Sequence, residues 1–137
     1  MIDIYAFGSG ALAFGLAFAT AGVFALAFKG LYQLITPHKE GPLIREGNAA
    51  AAVALGGAVL GYVIPLASAL SQTHSLPEFA AWAALAGVIQ IVAFWLVRHF
   101  ALPDVSARIA RGEMAAALYM LMISLSVGVL NAASMTS

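Results

Sequence analysis

The chain has 137 residues, of which 63% are hydrophobic and 9% charged, against about 25% charged residues in ordinary soluble domains. Its net charge is zero, which gives no general attraction to nucleic acid, so we expect no nucleic-acid partner. Cysteine is absent, which excludes disulfides and thiolate chemistry. These values indicate an integral membrane protein whose first partner is the lipid bilayer.

Four apolar runs approach or exceed the roughly 20 residues that a membrane-spanning helix needs. They cover residues 5–28, 48–70, 79–97 and 114–132. We therefore expect an all-α fold of four transmembrane helices, at about 5–35, 48–70, 77–98 and 113–133. These helices form two hairpin units, residues 1–70 and 75–137.

All six basic residues lie at two of the connections between helices. Lys29, Lys39 and Arg45 lie between helices one and two, and Arg98, Arg108 and Arg111 lie at or between helices three and four. Basic loops stay on the cytoplasmic side of a membrane. We therefore expect both of these loops in the cytoplasm and both chain termini outside.

Small residues recur at spacings of three and four on all four helices, where they allow helix backbones to approach closely. The glycines that we expect at helix contacts are Gly15, Gly22, Gly57, Gly61, Gly87 and Gly128. These stripes exceed what one four-helix bundle must bury, so we expect a homo-oligomer or a larger membrane complex. Pro65 removes the hydrogen bond to the Gly61 carbonyl, which then needs another donor.

The helix starts carry capping residues, namely Asn48, Ser75 with Glu78, and Asp104 before one or two turns of surface helix. A shift of 65 residues lays 44–53 on 109–118 and pairs Gly47 with Gly112. Because each unit holds two helices, this predicts parallel tandem repeats, related by an axis along the membrane normal.

Two hairpins, each with a short loop that ends in glycine and leads into alanines and glycines, resemble the bacterial domain-of-unknown-function 350 family of YjfL-like inner-membrane proteins. The residues that carry the resemblance are Gly47, Asn48, residues 49–52, Gly56, Gly57 and Gly61. The resemblance implies a bacterial inner-membrane protein associated with envelope stress, and it implies no catalytic residues. Glu113 stands where the family pattern implies a second asparagine.

Four polar residues are candidates for function, each with a structural alternative. Asn48 and Glu113 either cap their helices, with Glu113 paired to Arg111 or Arg45, or form the cytoplasmic mouth of a pathway. Gln90 makes an interhelical hydrogen bond or lines a pore. Ser124 bonds back to its own helix or lines the same path. Asn131 is expected at the outer membrane surface.

Metal binding and catalysis have little support in the sequence. His38 with Glu40, and His99 with Asp104, lack the donor number and spacing of a metal site. No serine lies beside a histidine base. We expect no metal, no cofactor and no enzyme activity.

Two functions remain open. The first is an oligomeric channel for ions or small solutes, lined by the polar candidates. The second is a non-conducting scaffold, stress component or accessory subunit, whose cytoplasmic charges at Lys39, Arg45, Arg108 and Arg111 recruit a protein partner or anionic lipid headgroups.

Overall fold

The computed structural model describes residues 3–37 and 39–135, and every regular element in those ranges is helical. Four of its helices are long and apolar enough to cross a membrane. They are α1 (Ile4–Ile35), α3 (Ala49–Gln72), α4 (Leu76–Leu96) and α6 (Met114–Ser134). Two short helices, α2 (Glu40–Arg45) and α5 (Val105–Ala110), lie in the connections after α1 and α4. The all-helical fold with four candidate membrane-spanning helices, which the sequence predicts, is confirmed.

Two details of the connections differ from expectation. The third membrane helix continues past residue 98 as a wider π turn, Val97–Ala101, closed by a hydrogen bond of 2.8 Å from Leu102 N to the Val97 carbonyl. Asp104 precedes α5 but makes no capping bond with its side chain. Its carboxylate instead lies 4.0 Å from the Arg108 guanidinium, so the expected cap is wrong.

The helix α2 was not evident from the sequence because Gly41 and Pro42 break helices elsewhere. Both fall in its first turn, where proline is tolerated because the backbone N–H has no helical partner there.

Both short helices end in the same turn. Gly47 and Gly112 have φ angles of +90° and +84°, a left-handed conformation that glycine adopts without steric cost. The Gly47 and Asn48 N–H groups each donate at 2.9 Å, to the Ile44 and Leu43 carbonyls respectively. This is the Schellman pattern of a helix end, and the same pair of bonds recurs at Gly112.

The helix α3 lies at the centre of the fold and contacts α1, α4 and α6. Its closest neighbour is α6, which it meets through glycines. A Cβ atom added at Gly61 would lie 2.5 Å from the Ser124 carbonyl oxygen, and one added at Gly128 would collide with the Gly61 carbonyl. Backbones this close are compatible only with glycine at both positions.

The helix α1 is packed over its second half and uncovered over its first. Phe28 stacks on Tyr62 of α3 with ring centroids 4.4 Å apart, and Tyr32 meets Phe94 of α4 at 5.2 Å. Towards the N-terminus the large apolar side chains are exposed, with Phe14 at 70%. No atom comes within 4 Å of a Cβ added at the α1 glycines, including Gly15 and Gly22.

Replacing Gly61 with alanine should destabilise the bundle by about 1–3 kcal/mol, the usual cost of overpacking, because the added methyl meets the α6 backbone. Denaturant unfolding in detergent, followed by tryptophan fluorescence, measures the difference. Gly56→Ala on the same helix is the matched control, since nothing lies within 4 Å of that position. Equal stability of the two variants would contradict the close packing of α3 on α6.

Candidate functional site

The centre of the membrane domain contains a backbone carbonyl that lacks its helical donor. Pro65 has no N–H, so the Gly61 carbonyl four residues earlier receives no hydrogen bond within α3. An unpaired carbonyl is costly in an apolar environment, because neither lipid nor a neighbouring alkyl group donates to it. A donor from another helix is therefore required at this point.

Gln90 of α4 supplies that donor. Its side-chain Nε2 donates to the Gly61 carbonyl oxygen at 3.0 Å, and the residue is only 4% exposed. The same α6 segment that carries Ser124 and Gly128 packs against Gly61. We call this meeting of Gly61, Pro65, Gln90, Ser124 and Gly128 the central junction.

Two further side chains donate across the helices near this junction. The Tyr62 hydroxyl donates to the Ala83 carbonyl at 3.0 Å, and Asn131 Nδ2 donates to the Ala86 carbonyl at 3.3 Å. Asn131 is buried between α6 and α4, with 7% of its surface exposed. It lies three residues before Ser134, the last residue of α6, at a point where α6 packs against α4.

Asn48, at the N-terminal end of α3, joins the connection after α1 to the connection after α4. Its Oδ1 accepts from Ala51 N at 3.0 Å and so caps α3, as the sequence predicts. Its Nδ2 donates to the carbonyls of Ile109 and Ala110 at 3.1 and 3.2 Å, which are at the C-terminal end of α5. One amide therefore satisfies the start of one helix and the end of another.

Glu113, at the equivalent point before α6, behaves differently. It makes no capping bond, and its carboxylate accepts from Arg108 at 2.7 Å and from Arg111 at 3.2 Å. The hydrogen bond from Arg108 lowers the pKa of Glu113 below its ordinary value, and the pKa of Arg108 is raised by the same bond. An ionised carboxylate has no N–H to donate, so Glu113 cannot bridge two helix ends as Asn48 does.

A buried carboxyl group lies at the first residue of α2, and sequence reasoning gave it no structural role. Glu40 is 1% exposed, and the Thr36 hydroxyl donates to its Oε1 at 2.8 Å. The nearby Tyr32 hydroxyl is also buried and has no hydrogen-bond partner in the described ranges. The signal in the sequence was an acidic residue at the first position of a short helix with proline in its first turn.

The remaining predicted site residues do not gather at one place. Asn48 and Gly61 are thirteen residues apart on α3, about 20 Å at 1.5 Å per residue, so Asn48 and Glu113 lie far from Gln90 and Ser124. Gly57 packs against Leu121 and Gly87 packs against Tyr62. Gly15 and Gly22, in contrast, face open space. Lys39 and Arg45 are exposed on the surface of the first connection.

The structure brings together no group of three histidine, aspartate or glutamate residues within residues 3–37 and 39–135. His38 lies outside the described residues. His99 instead packs on Trp95, with ring centroids 4.7 Å apart.

The bond at the central junction can be measured by a double-mutant cycle. Gln90→Leu should destabilise the protein because it leaves the Gly61 carbonyl unpaired. In a Pro65→Ala background the same change should cost less, because alanine restores the missing backbone N–H. We expect a coupling of about 0.5–1.5 kcal/mol in unfolding free energy, the range of interhelical bonds in membranes. Additive effects would mean that Gln90 does not serve the carbonyl that Pro65 frees.

Comparison with known proteins places this architecture in a family. The chain is 41% identical to the inner membrane protein YjfL of Escherichia coli over 125 residues, which is 91% of this chain and 94% of that protein. It is 27% identical to the transmembrane protein YshE of Bacillus subtilis over 79 residues, 58% and 59% of the two chains. No solved structure matches the chain. The family model described as Domain of Unknown Function (DUF350) matches residues 6–135, and the chain therefore belongs to that family.

Proposed function

We propose that the protein is a non-conducting scaffold of the bacterial inner membrane, which assembles with copies of itself through the glycine-bearing face of α1 that the chain leaves uncovered. The observation that carries this proposal is the open space beside the α1 glycines. A Cβ atom at Gly8, Gly15 or Gly22 would meet nothing within 4 Å, although glycine weakens a helix. The same chain uses glycines at Gly57, Gly61 and Gly128 where backbones touch.

The hydrogen bonds that the buried polar side chains make favour a scaffold over a channel. Gln90, Asn131 and Tyr62 each donate to a backbone carbonyl of a neighbouring helix inside one chain. A water-filled path needs polar groups that face the path, whereas these donors are hydrogen-bonded to neighbouring helices. A channel built between subunits is the second candidate, and the experiment below separates the two. Neither candidate requires catalysis or a cofactor.

The proposed arrangement of the chain is two tandem hairpins, with both basic connections in the cytoplasm and both termini outside. In support, α2 and α5 have six residues each, and their bounds differ by the 65 residues of the sequence shift. Both are followed by a glycine of positive φ. A cytoplasmic protein partner would then meet Lys39, Arg45, Arg108 and Arg111.

Assembly is tested by the mass of the protein in lipid nanodiscs or mild detergent. We expect an oligomer for the natural chain, and a shift to smaller species for Gly15→Leu with Gly22→Leu, by roughly tenfold in dissociation constant. Gly56→Leu is the control, because it puts the same side chain on an uncovered glycine of α3. A monomer in the natural chain, or equal effects of the variants, would exclude assembly through α1.

Ion flux from liposomes that contain the oligomer decides between the two candidates. The scaffold predicts no flux above that of empty liposomes. Flux that is lost in Gln90→Leu would overturn the scaffold and favour the channel.

A further inference from the structure

An apolar groove runs between α1 and α4, with α3 as its floor. Its cavity has a volume of about 390 Å³, within the range of small-molecule sites. Phe24 and Leu31 line it from α1, and Val88 and Ile91 line it from α4. The Tyr62 hydroxyl at its floor already donates to the Ala83 carbonyl. The groove therefore offers alkyl and aromatic surface, which suits an acyl chain.

A second cavity, of about 320 Å³, lies beside the end of α4 and the start of α5. Arg98 and Ser106 both line it, with Pro37 and Pro103 at its sides. Arg98 is half-buried, and its side chain has no ion-pair or hydrogen-bond partner in the described parts of the chain. Ser106 is 9% exposed, and its hydroxyl is buried without a hydrogen-bond partner in the same ranges. An unpaired guanidinium and an unpaired hydroxyl whose residues line one cavity match an anion with several acceptor oxygens.

The two cavities follow one another along α1 and α4 and the segments that continue these helices. Ile91 lines the groove and Arg98 lines the polar cavity, and these residues are seven apart, close to two turns, on α4 and its π turn. At 1.5 Å per residue the separation is about 10 Å along the helix. On the other side Leu31 of α1 lines the groove, and Pro37, just after α1, lines the polar cavity. The polar cavity thus lies beyond the end of the groove that is nearest the basic connections.

We propose that this pair of cavities binds one anionic phospholipid, with an acyl chain in the groove and the phosphate at Arg98 and Ser106. Lipid is the occupant that both halves favour, since an apolar groove inside the membrane and a cation at its surface match the two ends of one molecule. All the residues involved belong to one chain, so the proposal does not depend on assembly through α1.

Asp104 sets the expected strength of the site. Asp104 lines the same cavity, and its carboxylate is 4.0 Å from Arg108, which also bonds to Glu113. A carboxylate opposes a phosphate, so binding should be moderate in the natural chain. Removal of this charge by Asp104→Asn should strengthen binding, while removal of the Arg98 charge should weaken it.

Native mass spectrometry of the delipidated full-length protein, titrated with phosphatidylglycerol, measures the affinity. We expect Arg98→Gln to weaken binding about tenfold, since it removes a charge-assisted bond, and Arg98→Lys to retain part of it. Asp104→Asn should tighten binding. Arg111→Gln is the matched control, because Arg111 lies on the same surface but outside the cavity and pairs with Glu113.

Three results would overturn the proposal. Equal losses in Arg98→Gln and Arg111→Gln would indicate diffuse attraction to the basic surface. Unchanged binding in Arg98→Gln, or in Asp104→Asn if the first variant does not fold, would exclude the phosphate site. The third arm fills the groove with Ala84→Phe, a position that lines it. This variant should lose phosphatidylglycerol binding. If inorganic phosphate displaces the lipid and Ala84→Phe has no effect on lipid binding, the site binds a soluble anion instead.

Discussion

The fold depends on one carbonyl group, that of Gly61, in a part of the chain where water does not supply a hydrogen bond. Pro65 takes away its helical donor, and Gln90 replaces it from α4 at 3.0 Å. The bond requires α4 to lie beside α3 in one register. The absence of a side chain at Gly61 and Gly128 brings α6 to the same point. This bond and the small residues around it, together with the bonds from Tyr62 and Asn131, therefore hold three helices together.

Much of this arrangement was predictable from local chemistry. The four membrane helices, the cap at Asn48 and the need of the Gly61 carbonyl for a donor follow from residue type and spacing. The identity of that donor does not, because Gln90 lies 29 residues away and the register of α4 on α3 is a property of packing. The same limit applies to Asn131, whose burial depends on how α6 lies against α4.

The first helix shows a different limit. A stripe of small residues predicts close contact with another helix, but its pattern is the same whether the partner lies in the same chain or in a second one. In α3 and α6 the glycines meet within the chain, and in α1 they face open space. Likewise, Asn48 and Glu113 occupy equivalent positions, yet only the amide has both a donor and an acceptor with which to join two helix ends. The asymmetry between the two hairpins is thus chemical in origin.

The central claim is that Gln90 bonds to the Gly61 carbonyl in the bilayer. Solid-state NMR of the protein in lipid, with ¹⁵N at the Gln90 side chain and ¹³C at the Gly61 carbonyl, measures their dipolar coupling directly. We predict a measurable coupling between the Gln90 side-chain nitrogen and the Gly61 carbonyl carbon, whose bonded oxygen lies 3.0 Å from that nitrogen, and no exchange of the side-chain amide protons with water. Absence of the coupling, together with a water-exchanging Gln90 amide, would contradict it and would favour a hydrated path through the membrane.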